Sequence, residues 1–400
     1  MARVLHIINR LNLGGPTNIV AFLTRYLKPE FETQLISGMI DESEESSEFI
    51  VREHGLEPIY IPEMYRDINL IQDRKAYKKI KKIIQEFKPD IVHTHAAKAG
   101  TLGRLAAINC KVPVILHTFH GHVFHSYFGK LKTRMFLEIE RYLAARTGRI
   151  IAISERQKKE LGLIFKVAPL SKIEVIPLGF DLDPFQHNQK EKRTQFRNHF
   201  MIENDEIVVS IIGRLVPIKN HKLFIDAMKI VFENTKKRVR AFIIGDGEER
   251  SNIESYIVAN GLDYVMFNQE QRKAQFTFTS WRKDIDCVIA GSDIIALCSF
   301  NEGTPVSLIE AQAANKPVVT TRVGGITDVV IPGQTALISS KKSISNFARN
   351  LFMLIEDDER RKIMGDKGHD FVSSKFSYPR LIKDTSDLYN KLLKEHQKFR

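Results

Sequence analysis

Cysteine is scarce in this 400-residue chain: Cys110, Cys287 and Cys298 are isolated and odd in number. That pattern excludes a disulfide framework and a cysteine-based zinc site, and a reducing cytosol is the simplest compartment for it. No stretch approaches the roughly 20 consecutive apolar residues of a membrane span. The apolar run in MARVLHIINRLNLGG is too short and too interrupted for a secretory signal. Repeats and low-complexity tracts are absent too. What remains, with 43% hydrophobic residues, is a globular chain of two or so domains.

Acidic residues are in deficit, 48 against 60 Lys+Arg, for a formal charge of +12. The excess is local. Between Lys98 and Lys172 there are 14 Lys+Arg against four acids, Glu138, Glu140, Glu155 and Glu160. Such a segment admits nucleic acid, an anionic membrane surface or a polyphosphate ligand as partner. The chain lacks both the aromatic-basic interleaving of an RNA-binding sheet and a recognisable DNA-reading helix, which argues against nucleic acid.

Strand-like and helical patterns alternate from the first residues. RVLHIIN, QLISG, PIYI, DIVHTH, VPVILHTFHG, RIIAIS and KIEVIPLG are strand candidates. NIVAFLTRYL, DRKAYKKIKKIIQEFK and GKLKTRMFLEIERYLAART carry apolar residues at helical spacing. Strands separated by helices imply a parallel, doubly wound sheet. After DLDPFQHNQKEKRTQFRNHFMIENDE, read as an inter-domain connection with a short helix, a second alternation follows: EIVVSIIGRL, VRAFIIGDG, DIIALCS, PVVTTRVGG and ALISS. The expected architecture is therefore α/β, with two Rossmann-like domains, 1–180 and 181–377, facing across a cleft at the carboxyl ends of their strands. A helix over 378–400 is expected to cross back to the first domain.

Four stretches fall at strand ends. Gly14-Gly15 follows the first strand, where a glycine pair lets backbone approach a phosphate, although tight turns use such pairs as well. IIGRLVPIKNH places Arg214 and Lys219 around a helix start, either as a diphosphate clamp or as two solvated cations. IIGDGEER reads as a structural turn. In SFNEGTPVSLIEAQA, Thr304 reads as an N-cap and Pro305 as the first helical residue, leaving the N–H groups of Val306, Ser307 and Leu308 to face an anion. A carboxylate at Glu302 would repel a phosphate there, but it suits something neutral and hydroxylated attached to one. An ordinary helix entry with a surface glutamate is the plain alternative.

The histidines of HTH (His93, His95) and HTFHGHVFH (His117, His120, His122, His125) lack a ligand pattern with carboxylates or cysteines, so a polar lining is expected there rather than a metal. Asp181-Leu-Asp183 and Asp284-Ile-Asp286 read as structural.

GRLVPIKN, GDGE, SFNEGTPVSLIEA and VVTTRVGG, in that order and spacing, resemble the C-terminal domain of retaining glycosyltransferase family 4, of GT-B architecture. The Gly-Gly loop and TFHGH extend the likeness over the whole chain. HTHAAKAGTLGRLAA with HTFHGHVFHSYFGK further resembles bacterial members that extend lipid-linked oligosaccharides for surface polysaccharides. The resemblance implies that Gly14 and Gly15 lie under the donor's diphosphate and that Arg214 and Lys219 neutralise it as it leaves. Trp281 and Arg282 would lie on the nucleotide. Gly303, Thr304, Val306, Ser307 and Leu308 would line the donor, Glu302 the donor sugar's hydroxyls and Glu310 the ribose. His120 would contact the transferring sugar or its acceptor.

It further implies a metal-independent hexosyl transfer without a cofactor, from a nucleotide sugar, UDP-linked by preference, to a lipid-diphosphate-linked saccharide. The enzyme would then be cytoplasmic and peripheral on the inner face of the cell membrane, drawn to its anionic surface by the basic stretch HSYFGKLKTRMFLEIERYLAARTGR. Two departures stand out: Ser280 occupies the place of a usual glycine, after an apparent insertion around NQEQRKAQFTF, and Asp328 replaces a common glutamate. A sugar-nucleotide epimerase on the same fold is the rival enzyme, and a basic nucleic-acid binder the rival from another class.

Overall fold

The computed structural model describes residues 1–12, 15–40, 46–65, 67–121 and 130–398, with only the backbone for Lys130, Leu131 and Lys132. Two compact units divide the chain. Unit 1 comprises Met1–Phe180 and Phe376–Arg400, and unit 2 comprises Asp181–Lys375.

Unit 1 is built on strands β1 (Ala2–Ile8), β2 (Phe31–Ser37), β3 (Ile59–Tyr60), β4 (Ile91–His95), β5 (Val114–Phe119), β6 (Arg149–Ala152) and β7 (Ile173–Val175). Their order is β3-β2-β1-β4-β5-β6-β7, and every pair is parallel. β4 and β5 are buried throughout, which is why they read as continuous apolar runs broken only by His and Thr. The helix Leu70–Phe87 shows how local chemistry sets an element. The Asn69 side chain accepts the N–H groups of Ile71 and Gln72, and Lys88 closes the last turn at φ 49°. Between these caps Ala76, Ile80 and Ile84, four residues apart, are buried. Full burial of each isoleucine contributes about 1.5–3 kcal/mol.

Unit 2 repeats the plan with β8 (Ile207–Ile212), β9 (Val239–Ile244), β10 (Tyr264–Met266), β11 (Phe276–Phe278), β12 (Ile294–Leu297), β13 (Val318–Thr321) and β14 (Ala336–Ser339). The order is β10-β11-β9-β8-β12-β13-β14, again all parallel. In both sheets the order reverses beside the first strand, between β1 and β4 and between β8 and β12. Ligands of open α/β sheets bind outside the carboxyl ends at such a reversal.

Two expectations are corrected. The apparent insertion contains β11, whose FTF pairs with β9 and β10. The stretch 181–206 holds the expected short helix but is part of unit 2 rather than a polar connection. It forms helices Asp183–Gln186 and Gln189–His199, and its Phe196, Phe200 and Ile202 pack on Val208, Phe242 and Ile244 of unit 2. The helix Tyr378–Lys398 belongs to unit 1, where Arg380 donates to the carbonyls of Pro177 and Leu178. Among the described residues no helix is long and apolar enough to cross a membrane.

Candidate functional site

In unit 2 the chain leaves β8 through Gly213, Arg214 and Leu215. The IIGDG turn after β9 is structural: a Cβ on Gly245 would lie 2.1 Å from the Gly213 carbonyl oxygen, and Leu215 N–H donates to Asp246 O. Arg214 is exposed, and its guanidinium has no partner among the described residues. Lys219 ends the 3-10 turn Pro217–Lys219, and Asn220, at φ 52°, starts the helix His221–Asn234. The half-buried Lys219 Nζ lies 2.6 Å from Glu302 Oε1, and Ser299 Oγ–H donates to the same oxygen at 2.5 Å.

The Glu302 loop is held by the turn after β13. Gly324 has φ +49°, and a Cβ there would meet the Glu302 carbonyl oxygen at 1.8 Å. Gly325 N–H donates to that carbonyl. Both glycines of VVTTRVGG thus support the loop carrying the carboxylate. The helix start lies one residue later than expected. Pro305 is the N-cap, the helix runs Val306–Ala313, and Leu308 N–H donates to Pro305 O. With ψ 101° Pro305 is extended rather than helical. Gly303 and Thr304 lie before the cap, and of the three N–H groups assigned to an anion only those of Val306 and Ser307 lack a described partner.

Glu310 is half-buried on this helix, and its carboxylate has no hydrogen-bond partner among the described residues. Burial, and then the neighbouring Asp286 carboxylate, push its pKa up to about 7. Asp286 itself is paired with Lys192 at 2.9 Å. Glu302 and Glu310 therefore differ in kind: one is neutralised by a cation, while the other waits without a partner.

Ser280 takes φ +58°, which explains why its place suits a glycine, and its hydroxyl bonds Asp246 Oδ2 at 2.9 Å. Trp281 is exposed. Arg282, assigned to the nucleotide, has its guanidinium engaged with both Asp284 oxygens at 2.8 and 2.5 Å. Both Asp-x-Asp pairs are structural: Asp181 accepts the N–H of Asp183, and Asp284 and Asp286 hold Arg282 and Lys192.

In unit 1, Gly15 opens the helix Gly15–Tyr26, and a Cβ there would meet nothing within 4 Å. Gly14, His122 and His125 lie outside the described residues. His93 and His95 of β4 share a face with His6 of β1, and His120 follows β5. His93 is bonded at both nitrogens, Nδ1 to Tyr389 Oη at 2.6 Å and Nε2 to Thr118 Oγ1 at 2.7 Å. His95 lies between His6 and His120, at 3.5 and 3.0 Å. Burial lowers the pKa of His6 to about 3 and of His120 to about 4, and holds His93 and His95 well below the usual range.

His6 was missed from sequence because a single histidine inside RVLHIIN carries no signal of its own. With it, ligand atoms of His6, His93 and His95 come within 4.8 Å of one another. No carboxylate or thiolate joins them among the described residues.

The basic helix Lys130–Arg146 packs Phe136 and Leu137 on the core beside Phe119 and Ala144, and leaves Met135 and Tyr142 exposed. Two of its cations are occupied, Arg141 by Glu138 and Arg146 over the Tyr142 ring, and Arg149 of β6 is near Glu174 and Glu395. Arg134 is exposed with no ion pair among the described residues.

Comparison with known proteins adds an independent line. Residues 13–184 match the family described as Glycosyltransferase Family 4, and residues 192–371 match Glycosyl transferases group 1. The chain is 30% identical over 333 residues to the UDP-Gal:alpha-D-GlcNAc-diphosphoundecaprenol alpha-1,3-galactosyltransferase of Escherichia coli, covering 82% of each. It is 27% identical over 348 residues to the capsular polysaccharide biosynthesis glycosyltransferase CapM of Staphylococcus aureus, covering 87% of this chain and 88% of CapM. Among solved structures, Anabaena Alr3699/HepE in complex with UDP superposes with a TM-score of 0.78 at 18% identity, covering 97% of this chain and all (100%) of that one. WaaG, a glycosyltransferase involved in lipopolysaccharide biosynthesis, gives 0.65 at 14% identity, covering 96% and 99%.

Proposed function

This chain belongs to the family 4 glycosyltransferases of GT-B fold, and we propose that it transfers a hexosyl group, with retention, from a UDP-sugar to a hydroxyl of a lipid-diphosphate-linked saccharide in bacterial polysaccharide synthesis. The observation that carries the reading is the pair of unlike carboxylates at the reversal between β8 and β12. Glu302 is held by Lys219 and Ser299, and Glu310 stands unpartnered on the next helix. Donor class and acceptor class draw support from the Escherichia coli relative, which by its name takes UDP-Gal and a diphosphoundecaprenol acceptor, and from HepE, solved with UDP and with UDP-glucose. The relatives described are transferases, which disfavours the epimerase reading.

In this mechanism Gly15 lies under the diphosphate, and Glu310 accepts hydrogen bonds from the ribose hydroxyls. When the donor binds, Lys219 exchanges its contact with Glu302 for the diphosphate, and Glu302 turns to the sugar hydroxyls. Arg214 is the second cation on the diphosphate. As the glycosidic bond breaks, negative charge grows on the leaving phosphate. Two cations and the Val306 and Ser307 N–H groups stabilise it there, and their effect is greatest where charge develops. The acceptor hydroxyl attacks from the face the diphosphate leaves, passing its proton to the departing phosphate oxygen, so configuration is kept. His120 contacts the transferring sugar or the acceptor. The chemistry of this set needs no metal ion and no cofactor.

The acceptor also implies a place of work. We place the enzyme on the cytoplasmic face of the cell membrane, associated peripherally through the basic helix with its exposed Arg134, Met135 and Tyr142.

The test is incubation with UDP-Gal, UDP-Glc or their N-acetyl forms and a GlcNAc-diphospho-lipid, followed by mass spectrometry and anomeric NMR coupling of the product. An α-linked product, formed equally well in EDTA, is expected. An inverted product, or activity abolished by EDTA and restored by Mn²⁺, would overturn the mechanism. A changed sugar nucleotide from donor alone would favour the epimerase.

A further inference from the structure

His6, His95 and His120 of unit 1 form a chain of three imidazoles. His6 Nδ1 lies 3.5 Å from His95 Nε2, and His95 Nδ1 lies 3.0 Å from His120 Nε2. The two terminal nitrogens, His6 Nε2 and His120 Nδ1, are buried with no hydrogen-bond partner among the described residues. Burial keeps all three rings neutral at physiological pH, so each carries one ring proton.

Two hydrogen bonds among three neutral imidazoles allow two arrangements. If His95 donates from Nδ1, His120 accepts at Nε2 and so carries its own proton on Nδ1. His95 Nε2 is then a lone pair, which His6 meets with an Nδ1 proton. In the reverse arrangement all three protons sit on Nε2. Any mixed set would place two protons or two lone pairs face to face. The three tautomers are therefore locked together.

The arrangements differ in which end carries an N–H without an acceptor. With the protons on Nε2 it is His6, which is fully buried on β1. With the protons on Nδ1 it is His120, half-buried and lining a cavity of about 10 Å³ with His93 and Thr118. That space is about the size of one water. Orphaned buried donors are rarer than under-satisfied acceptors, so the donor belongs at the His120 end.

We propose that His6 and His95 are positioning residues that hold His120 in its Nδ1–H tautomer, so that it meets a sugar or phosphate oxygen as a hydrogen-bond donor. This rests on the reading that His120 contacts the transferring sugar or acceptor. A metal ion on His6, His93 and His95 is the competing use of these rings. It would have to displace Tyr389 or Thr118 from one nitrogen of His93 and would find no anionic ligand in the group.

The experiment is long-range ¹H–¹⁵N correlation on the full chain labelled with ¹⁵N-histidine, with signals assigned by single substitutions. His6, His95 and His120 are expected to share the Nδ1–H pattern. His6→Leu should move His120 toward Nε2–H and lower transfer kcat about tenfold, well under the roughly 10⁴-fold cost of a wrong tautomer in a catalytic triad. UDP affinity should stay unchanged. His6→Asn, whose amide reaches the place of Nδ1, should restore both signals and rate. An Nε2–H signal for His120 in the wild type, or one unmoved in His6→Leu, overturns the proposal. So does stoichiometric zinc that shifts these three signals. Should His6→Leu fail to fold, the wild-type and His6→Asn spectra decide. Wild-type transfer by His120→Ala would instead sink the sugar-contact reading, while the tautomers are still read from the spectrum.

Discussion

Lys219 Nζ stands 2.6 Å from Glu302 Oε1, so the cation assigned to the diphosphate neutralises the carboxylate assigned to the sugar. Each partner keeps the other from being a half-buried charge without a counter-ion. In the proposed mechanism ligand binding exchanges one pairing for another.

Lys219→Met and Arg214→Ala are expected to lower kcat more than they raise the donor's KM, because charge on the diphosphate is greatest in the transition state. Loss of one such stabilising group typically costs about 10²–10³ in kcat. Steady-state kinetics with donor varied at saturating acceptor will show it. A pure KM effect would reduce both residues to anchors.

Glu310→Gln should weaken donor binding by about 1.5–3 kcal/mol, the worth of a hydrogen bond to a charged group. The same change should raise folding stability at pH 8. The folded-state pKa of Glu310 is about 7, above the 4.5 of an unperturbed glutamate, so folding favours its protonated form. Wild-type stability from this group is complete below about 4.5 and is lost as pH rises through about 7, on the order of 2–3 kcal/mol in all. The two melting curves should therefore converge at pH 4.5 and separate by pH 8. Equal separation at both values would remove Glu310 as the cause.

Gly324→Ala should destabilise unit 2 by about 1–3 kcal/mol, since φ +49° and a 1.8 Å approach to Glu302 O forbid a Cβ without backbone movement. Donor affinity should fall with it, because the displaced backbone carries Glu302. Urea titration and calorimetry measure the two effects. Unchanged affinity in a destabilised variant would separate the turn from the site.

Liposome co-sedimentation tests the basic helix. Binding to anionic but not neutral vesicles, weakened by salt, is expected, with each Lys or Arg near the surface contributing about 1 kcal/mol. Charge reversal at Lys130, Lys132 and Arg134 should release the protein and leave UDP binding intact. Tyr127 and Phe128, in the same stretch, lie outside the described residues. Equal binding to both vesicle types would point to a non-electrostatic surface.

The alternation of buried strands and helical spacing made the two α/β sheets legible, because strands covered on both faces must be continuously apolar. The three-residue strands β10 and β11 were not legible: YVM and FTF are too short to show a period, and FTF follows a polar run. In 181–206 a short helix was legible but its packing was not, because Phe196, Phe200 and Ile202 are few among charges, yet burying them suffices to dock the segment. At the site, Lys219 and Glu302 lie in the segments after β8 and β12, and Glu310 on the helix that follows, as the motifs implied. The one-residue shift at Pro305 reflects an extended backbone that no residue preference distinguishes from N1. Arg282's engagement with Asp284 depends on side-chain choice between neighbours, which spacing cannot decide. His6 and His95 are 89 residues apart in the chain and meet only through the register of β1 and β4.

Tyr389 Oη, on the last helix, lies 2.6 Å from His93 Nδ1 on the fourth strand. A ribosome that has finished the first 180 residues has made every strand of unit 1 but not the residue that completes its interior. Another 209 residues, from 181 through Tyr389, must be polymerised before that hydroxyl exists. At ~5–20 residues per second this takes roughly ten seconds or more. For that interval the nascent sheet waits with an exposed flank while the second sheet folds beyond it. The half of the enzyme translated first is thus the half completed last, and a stop before Tyr389 leaves it open.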